Sequence, residues 1–137
     1  MFDEEKKRRK LIKRYLHIKK GFIKNVLYSI LKRKGIYISR DAMIGKNLFF
    51  VHPYNLFIGK GAIIGDDCTI YHNVTIGKKN ERYPIIGNNV TIFPHSILIG
   101  DISIGNQTII GAGSVAIQSF PDKVVVAGNP AKVIENE

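Results

Sequence analysis

Bulky apolar residues recur at a strict step of six through most of the chain. They stand at Ile38, Ile44 and Phe50, then at Ile58, Ile64, Ile70 and Ile76. The series resumes at Ile86, Ile92, Leu98, Ile104 and Ile110 and fades at Ala116. A small residue often follows the bulky one, as at Gly45, Gly59, Gly65, Gly77, Gly87, Gly105 and Gly111. A helical period does not sustain such a step, and simple alternation does not place the glycines. A hexapeptide period is the signature of a parallel β-helix. Three hexads close one triangular coil of about eighteen residues. Each side is a short strand with its ladder residue pointing inward, and successive coils pair in parallel about 4.8 Å apart. Branched side chains suit these crowded columns. No single coil buries its own face, so the repeat is stable only as a stack.

The series breaks twice. Phe50 to Ile58 is eight residues and Ile76 to Ile86 is ten. Insertions into a solenoid collect on its binding face. The first holds Val51-His52-Pro53-Tyr54, and the second runs from Gly77 through Arg82 and Tyr83 to Pro84. The two are expected to form the halves of one site. Phe50, Ile70 and Ile92 fall on one side of successive coils, so His52, His72 and His95 are expected along one edge, roughly 5 Å apart. Three histidines in a row raise metal binding as an alternative to plain edge residues.

The segment before the repeat has a different rhythm. From Leu11 to Leu31 the apolar residues recur at steps of three and four, which predicts helix over residues 3–34. Asp3, Glu4 and Glu5 at its start and Lys32-Arg33-Lys34 at its end suit a helix dipole. Gly21 can divide it, and Gly35 is a stop signal. The charge also lies here. The chain nets +10, and residues 1–34 carry thirteen Lys/Arg against three Asp/Glu. The remainder is balanced. A basic amphipathic helix either packs on the solenoid or a neighbouring subunit, or lies on an anionic membrane surface. Nucleic acid is not expected, because the charge is off the solenoid and no recognition motif accompanies it.

The domain reading is a basic amphipathic helical segment over 1–34, the β-helix over 35–118 with an exposed loop over 77–85, and a turn and extended tail over 119–137. The 137 residues make one domain. Cys68 is the single cysteine. It lies inside a regular hexad and reads as structural, and a chain without intrachain disulfides suits a reducing compartment. No apolar run reaches the length of a membrane span, and no secretion signal is visible. The expected location is cytoplasmic, with peripheral contact at the inner membrane face.

Further residues carry a family resemblance. They are Gly35-Ile36-x-Ile38, His52, Val74-Thr75-Ile76-Gly77, Arg82-x-Pro84, Ile110-Gly111-Ala112-Gly113-Ser114-Val115 and Ala127-Gly128-x-Pro130-Ala131. Over about residues 35–134 the chain resembles the hexapeptide-repeat acyltransferase superfamily. Within it, the chain is most similar to serine O-acetyltransferases and the O-acetyltransferases of bacterial polysaccharide synthesis. The resemblance implies an all-β solenoid with left-handed coils, a homotrimer and acetyl-CoA as co-substrate, with no metal expected. It implies CoA contacts at Gly111, Ala112, Ala127, Gly128 and Lys132, with Lys123 a further phosphate candidate. Three departures bear on the acceptor. The carboxylate that orients the catalytic histidine falls on Tyr37, the aspartate beside that histidine falls on Val51, and the histidine after the loop arginine falls on Tyr83.

The implied chemistry is transfer of acetyl from acetyl-CoA to a hydroxyl, the hydroxyl of a sugar or glycan precursor being preferred and serine the alternative. His52 acts as general base, since imidazole titrates near neutrality. The backbone N–H at Gly77 or Lys78 is the expected oxyanion donor. Arg82, Tyr83, His72 and Tyr54 are the candidate acceptor contacts. Tyr37, Glu81 or a backbone carbonyl is expected to orient His52. The competing classes are a non-catalytic trimeric scaffold and a zinc protein of the carbonic-anhydrase type.

Overall fold

The computed structural model describes residues 1–136. The repeat folds into a left-handed parallel β-helix with two helices before it. The first sheet stacks β1 (Ile36–Ile38), β4 (Leu56–Ile58), β7 (Thr75–Gly77), β10 (Ile97–Ile99) and β13 (Val115–Ala116). The second stacks β2 (Met43–Ile44), β5 (Ile63–Ile64), β8 (Ile85–Ile86) and β11 (Ser103–Ile104). The third stacks β3 (Phe49–Phe50), β6 (Thr69–Ile70), β9 (Thr91–Ile92), β12 (Ile109–Ile110) and β14 (Val124–Gly128), and β15 (Ala131–Asn136) folds back antiparallel on β14.

The register follows the hexads. Phe50 aligns with Ile70, and Ile70 with Ile92. Every ladder residue from Ile38 to Ala116 is buried except Ile44, which is half-buried. The solenoid also runs further than the hexads alone indicate. Phe120 bridges to Ile104 and Val126 pairs with Ile110, so a fifth coil extends through the turn expected at 119. The tail beyond it turns at Asn129-Pro130, within the turn expected at Gly128-Asn129-Pro130, and pairs back on β14 as a β-hairpin.

A second ladder holds the corner between the second and third sheets. The backbone N–H of Lys46 donates to Asp66 at 2.7 Å, that of Asp66 to Asn88 at 2.8 Å, that of Asn88 to Asn106 at 2.8 Å, and that of Asn106 to Asp122 at 2.7 Å. Each side-chain oxygen satisfies a turn amide in the neighbouring coil, as buried or crowded backbone donors require. Glycine precedes Lys46, Asp66, Asn88 and Asn106, where a side chain would meet the next coil. A Cβ on Gly65 would stand 2.6 Å from the carbonyl oxygen of Gly87 in the next coil.

The basic segment divides into α1 (Phe2–His17) and α2 (Phe22–Arg33), with Ile18 extended and Gly21 at positive φ between them. Helix α1 turns its apolar side to the first coil. Ile12 and Tyr15 are each 1 % exposed, and the Tyr15 hydroxyl donates to the carbonyl of Ile38 at 2.8 Å. Helix α2 buries Leu27 and Leu31 and leaves Phe22, Ile23 and Val26 exposed.

Candidate functional site

The first insertion turns the corner between the third and first sheets. His52 sits there at φ 50°, in the left-handed region. The corners stacked above it carry Tyr71-His72-Asn73 and Phe93-Pro94-His95, and the next carries Gly111-Ala112-Gly113. The three imidazoles do line one edge. His52 and His72 have ring centroids 5.9 Å apart, and His72 and His95 5.5 Å. The rings meet edge to face, and no metal-binding group of three or more such side chains occurs among the described residues. Burial, then the neighbouring His95 and His52, hold the His72 imidazole below its usual range.

The partner of His52 is Glu5. Its Oε1 lies 2.7 Å from His52 Nδ1, and the Glu5 side chain is 3 % exposed. This replaces the expected orienters. Tyr37 stacks on Phe57 with centroids 4.7 Å apart, and Glu81 accepts from Lys78 Nζ at 2.7 Å inside its own loop. Sequence reasoning had placed Glu5 only in a helix-dipole role, because the pairing spans 47 residues and needs α1 docked on the first coil. The same helix packs the bulge. Arg8 lies over the Tyr54 ring at 4.3 Å, and Arg9 lies 3.7 Å from Glu5 Oε2.

The second insertion does not join His52 within one chain. It leaves from the other end of the first sheet, between β7 and β8, so Gly77, Lys78, Arg82 and Tyr83 belong to a different edge of the prism. The loop closes as a tight hairpin, with Lys79 and Arg82 exchanging two backbone hydrogen bonds of 3.0 Å. Asn80 and Glu81 both have positive φ, as a type I′ turn demands. Tyr83 then lies over Gly59 and Gly61. A Cβ on Gly61 would stand 2.5 Å from its ring. Arg82 is exposed.

The expected CoA contacts lie on the His52 edge. The amide of Gly111 donates to Val126 at 2.8 Å, which brings Gly111 and Ala112 beside Ala127 and Gly128. Gly111 and Ala112 stand three coils above His52, roughly 14 Å at the interstrand spacing, and Ala127 and Gly128 one coil further. Lys132 is exposed on the hairpin beside Ala127, its pairing partner. Lys123 lies in the turn before β14. Cys68 is buried, donates to the carbonyl of Gly87 at 3.1 Å, and has its thiol pushed upward by burial, which fits a structural role.

Residues 83–116 match the bacterial transferase hexapeptide family (six repeats). A serine acetyltransferase of Staphylococcus epidermidis is 38% identical over 133 residues, covering 93% of this chain. The crystal structure of serine acetyltransferase from Brucella abortus superposes with a TM-score of 0.76 at 34% identity, over 82% of this chain and 49% of that one. The Brucella abortus enzyme in complex with coenzyme A matches at 33% identity and the same TM-score, over 82% of this chain and 48% of that one. These matches are consistent with the hexapeptide-repeat acyltransferase superfamily. The chain spans 62% of the Staphylococcus relative and about half of these solved chains.

Proposed function

We propose that the protein is an acetyl-CoA-dependent O-acetyltransferase with His52 as its general base. The observation that carries this is the imidazole itself. It stands on a corner of a hexapeptide solenoid, bonded through Nδ1 to a buried carboxylate, and its Nε2 is left to take a proton. A hydroxyl becomes a competent nucleophile when a base removes its proton. The alkoxide attacks the thioester carbonyl, the C–S bond breaks, and His52 returns the proton to the thiolate of CoA. The edge above His52 supports an extended donor, because the Gly111 and Ala127 corners offer small residues three and four coils away.

Gly77, Lys78 and Arg82 stand on the other edge of the same prism. An acceptor that touches both His52 and this loop therefore needs the loop of a neighbouring copy, and a homotrimer provides that arrangement. In this reading the Gly77 or Lys78 amide stabilises the oxyanion across the subunit boundary, a contact typically worth about 2.7–4 kcal/mol. The names of the relatives favour serine as acceptor over a sugar. A sugar hydroxyl remains the second reading on one observation: Val51 beside His52 is apolar and Tyr83 is a phenol, so the charged groups suited to an amino acid are reduced to Arg82. The exposed Phe22, Ile23 and Val26, flanked by Lys19, Lys20 and Lys24, are the part of the basic segment suited to a membrane surface.

The test is release of CoA thiol from acetyl-CoA in the presence of L-serine or a panel of sugars. His52→Ala is expected to lower the rate by about 10²–10⁴-fold with the fold intact. Undiminished transfer by His52→Ala, or no transfer to any hydroxyl and no CoA binding by the wild type, rejects the proposal.

A further inference from the structure

We infer that Glu5, on the N-terminal helix, is the positioning residue of the general base, so that α1 is part of the active site and not only a cap on the solenoid. The inference rests on the role proposed for His52. A carboxylate is rarely taken out of water without strong partners, because the charge loses its hydration. Glu5 is 2 % exposed, and the groups that face it are His52 Nδ1 at 2.7 Å and Arg9 Nη1 at 3.7 Å. An ionised carboxylate only accepts, so the short contact puts the histidine proton on Nδ1. Nε2 is then the basic nitrogen. This is the tautomer a general base needs, and a free imidazole does not hold it unaided.

The geometry is built from several elements at once. Glu5 lies in the first turns of α1, its amide bonded to the carbonyl of Met1 at 3.1 Å. Arg8, one position before Arg9, crosses the Tyr54 ring at 4.3 Å and donates to the carbonyl of Lys34 at 2.7 Å. His72 stands on the other side of His52 with its ring edge-on. The position at which the family resemblance places an orienting carboxylate is Tyr37, whose ring is committed to Phe57. Glu5 thus supplies from the helix what the solenoid lacks at that position. Anchoring of the helix does not require this contact, since Ile12, Tyr15 and the Tyr15 bond to Ile38 already hold it.

The experiment has two readouts on the full chain. ¹⁵N–¹H NMR of the imidazoles, with His52 assigned from the spectrum of His52→Ala, reports which nitrogen carries the proton. The wild type is expected to show His52 as the Nδ1–H tautomer, and Glu5→Gln to shift it toward Nε2–H. Acetyl transfer by Glu5→Gln is expected to lose at least about tenfold in kcat, by the precedent of carboxylates that hold a catalytic histidine. The KM for acetyl-CoA is expected to stay within about twofold of wild type, because the residue acts on the base and not on the donor. A wild-type ring protonated on Nε2, an unchanged tautomer in Glu5→Gln, or an unchanged kcat in an active enzyme overturns the inference. An inactive wild type with the expected tautomers upholds the positioning by Glu5 and overturns the acetyltransferase reading instead.

Discussion

Removing one hydroxyl should loosen the N-terminal helix from the solenoid. Strand β1 is the outer strand of the first sheet, with β4 as its one neighbour among the described residues. The carbonyl of Ile38 therefore has no coil below it to bond, and the Tyr15 hydroxyl takes that place at 2.8 Å. Both residues are 1 % exposed, so water does not reach the carbonyl. Tyr15→Phe keeps the ring and its packing and leaves one buried acceptor unsatisfied. That costs about 1–3 kcal/mol. For a chain of this size the melting temperature is expected to fall by roughly 3–12 °C.

Differential scanning calorimetry of Tyr15→Phe against wild type measures this directly. Tyr71→Phe is the control, since that ring stacks on Phe93 at the surface and its hydroxyl is bonded to nothing among the described residues. It is expected to change stability by less than about 0.5 kcal/mol. A second signature lies at high pH. Burial first, then the neighbouring Tyr28, push the Tyr15 phenol up from 10.0 to about 12. The folded state thus keeps a proton that the unfolded state releases, so stability is full below pH 10 and is lost as pH rises toward 12. Tyr15→Phe lacks that component of the alkaline loss. A melting temperature unchanged within about 1 °C, with an unchanged alkaline limb, would refute the view that this hydroxyl caps the open end of the prism.

Two further outcomes follow from other parts of the molecule. The depressed His72 imidazole resists protonation in the folded state, so stability is full above pH 6.5 and declines as pH falls below it; melting curves between neutral pH and about 5 should be flatter for His72→Gln, and an identical slope would contradict the assignment. The full chain should co-sediment with anionic vesicles through Phe22, Ile23 and the lysines beside them, weakening with salt. Equal binding by the paired variant Phe22→Ser and Ile23→Ser would place the contact elsewhere.

The solenoid was legible because its information is local and periodic. Each ladder position repeats the same chemical demand, and the count from Phe50 to Ile70 to Ile92 predicts the histidine edge that the ring spacings of 5.9 and 5.5 Å bear out. The same count also separates the two insertions. The first insertion follows the third ladder position and the second follows the seventh, so they leave from different corners of a three-sided coil. Within one chain, insertions so placed do not share an edge of the prism. The ladder of Asp66, Asn88, Asn106 and Asp122 is polar and so lies outside the apolar period, although it stands in the sequence as an Asp or Asn after Gly65, Gly87 and Gly105 and again at position 122.

Glu5 is a different case. Nothing in its local sequence separates it from Asp3 and Glu4, which remain at the surface or half-buried. Its role arises only when α1 docks, and docking is decided by Ile12 and Tyr15, which lie two and three turns further along the helix. The apolar period of α1 sets the face that packs, and that face sets the rotation at which Glu5 meets His52. A substitution that rotated the apolar stripe would move the carboxylate away from the imidazole without changing either residue. The stability of the first coil and the proton on His52 are therefore controlled by one helix–solenoid contact, and changes to α1 should affect both together.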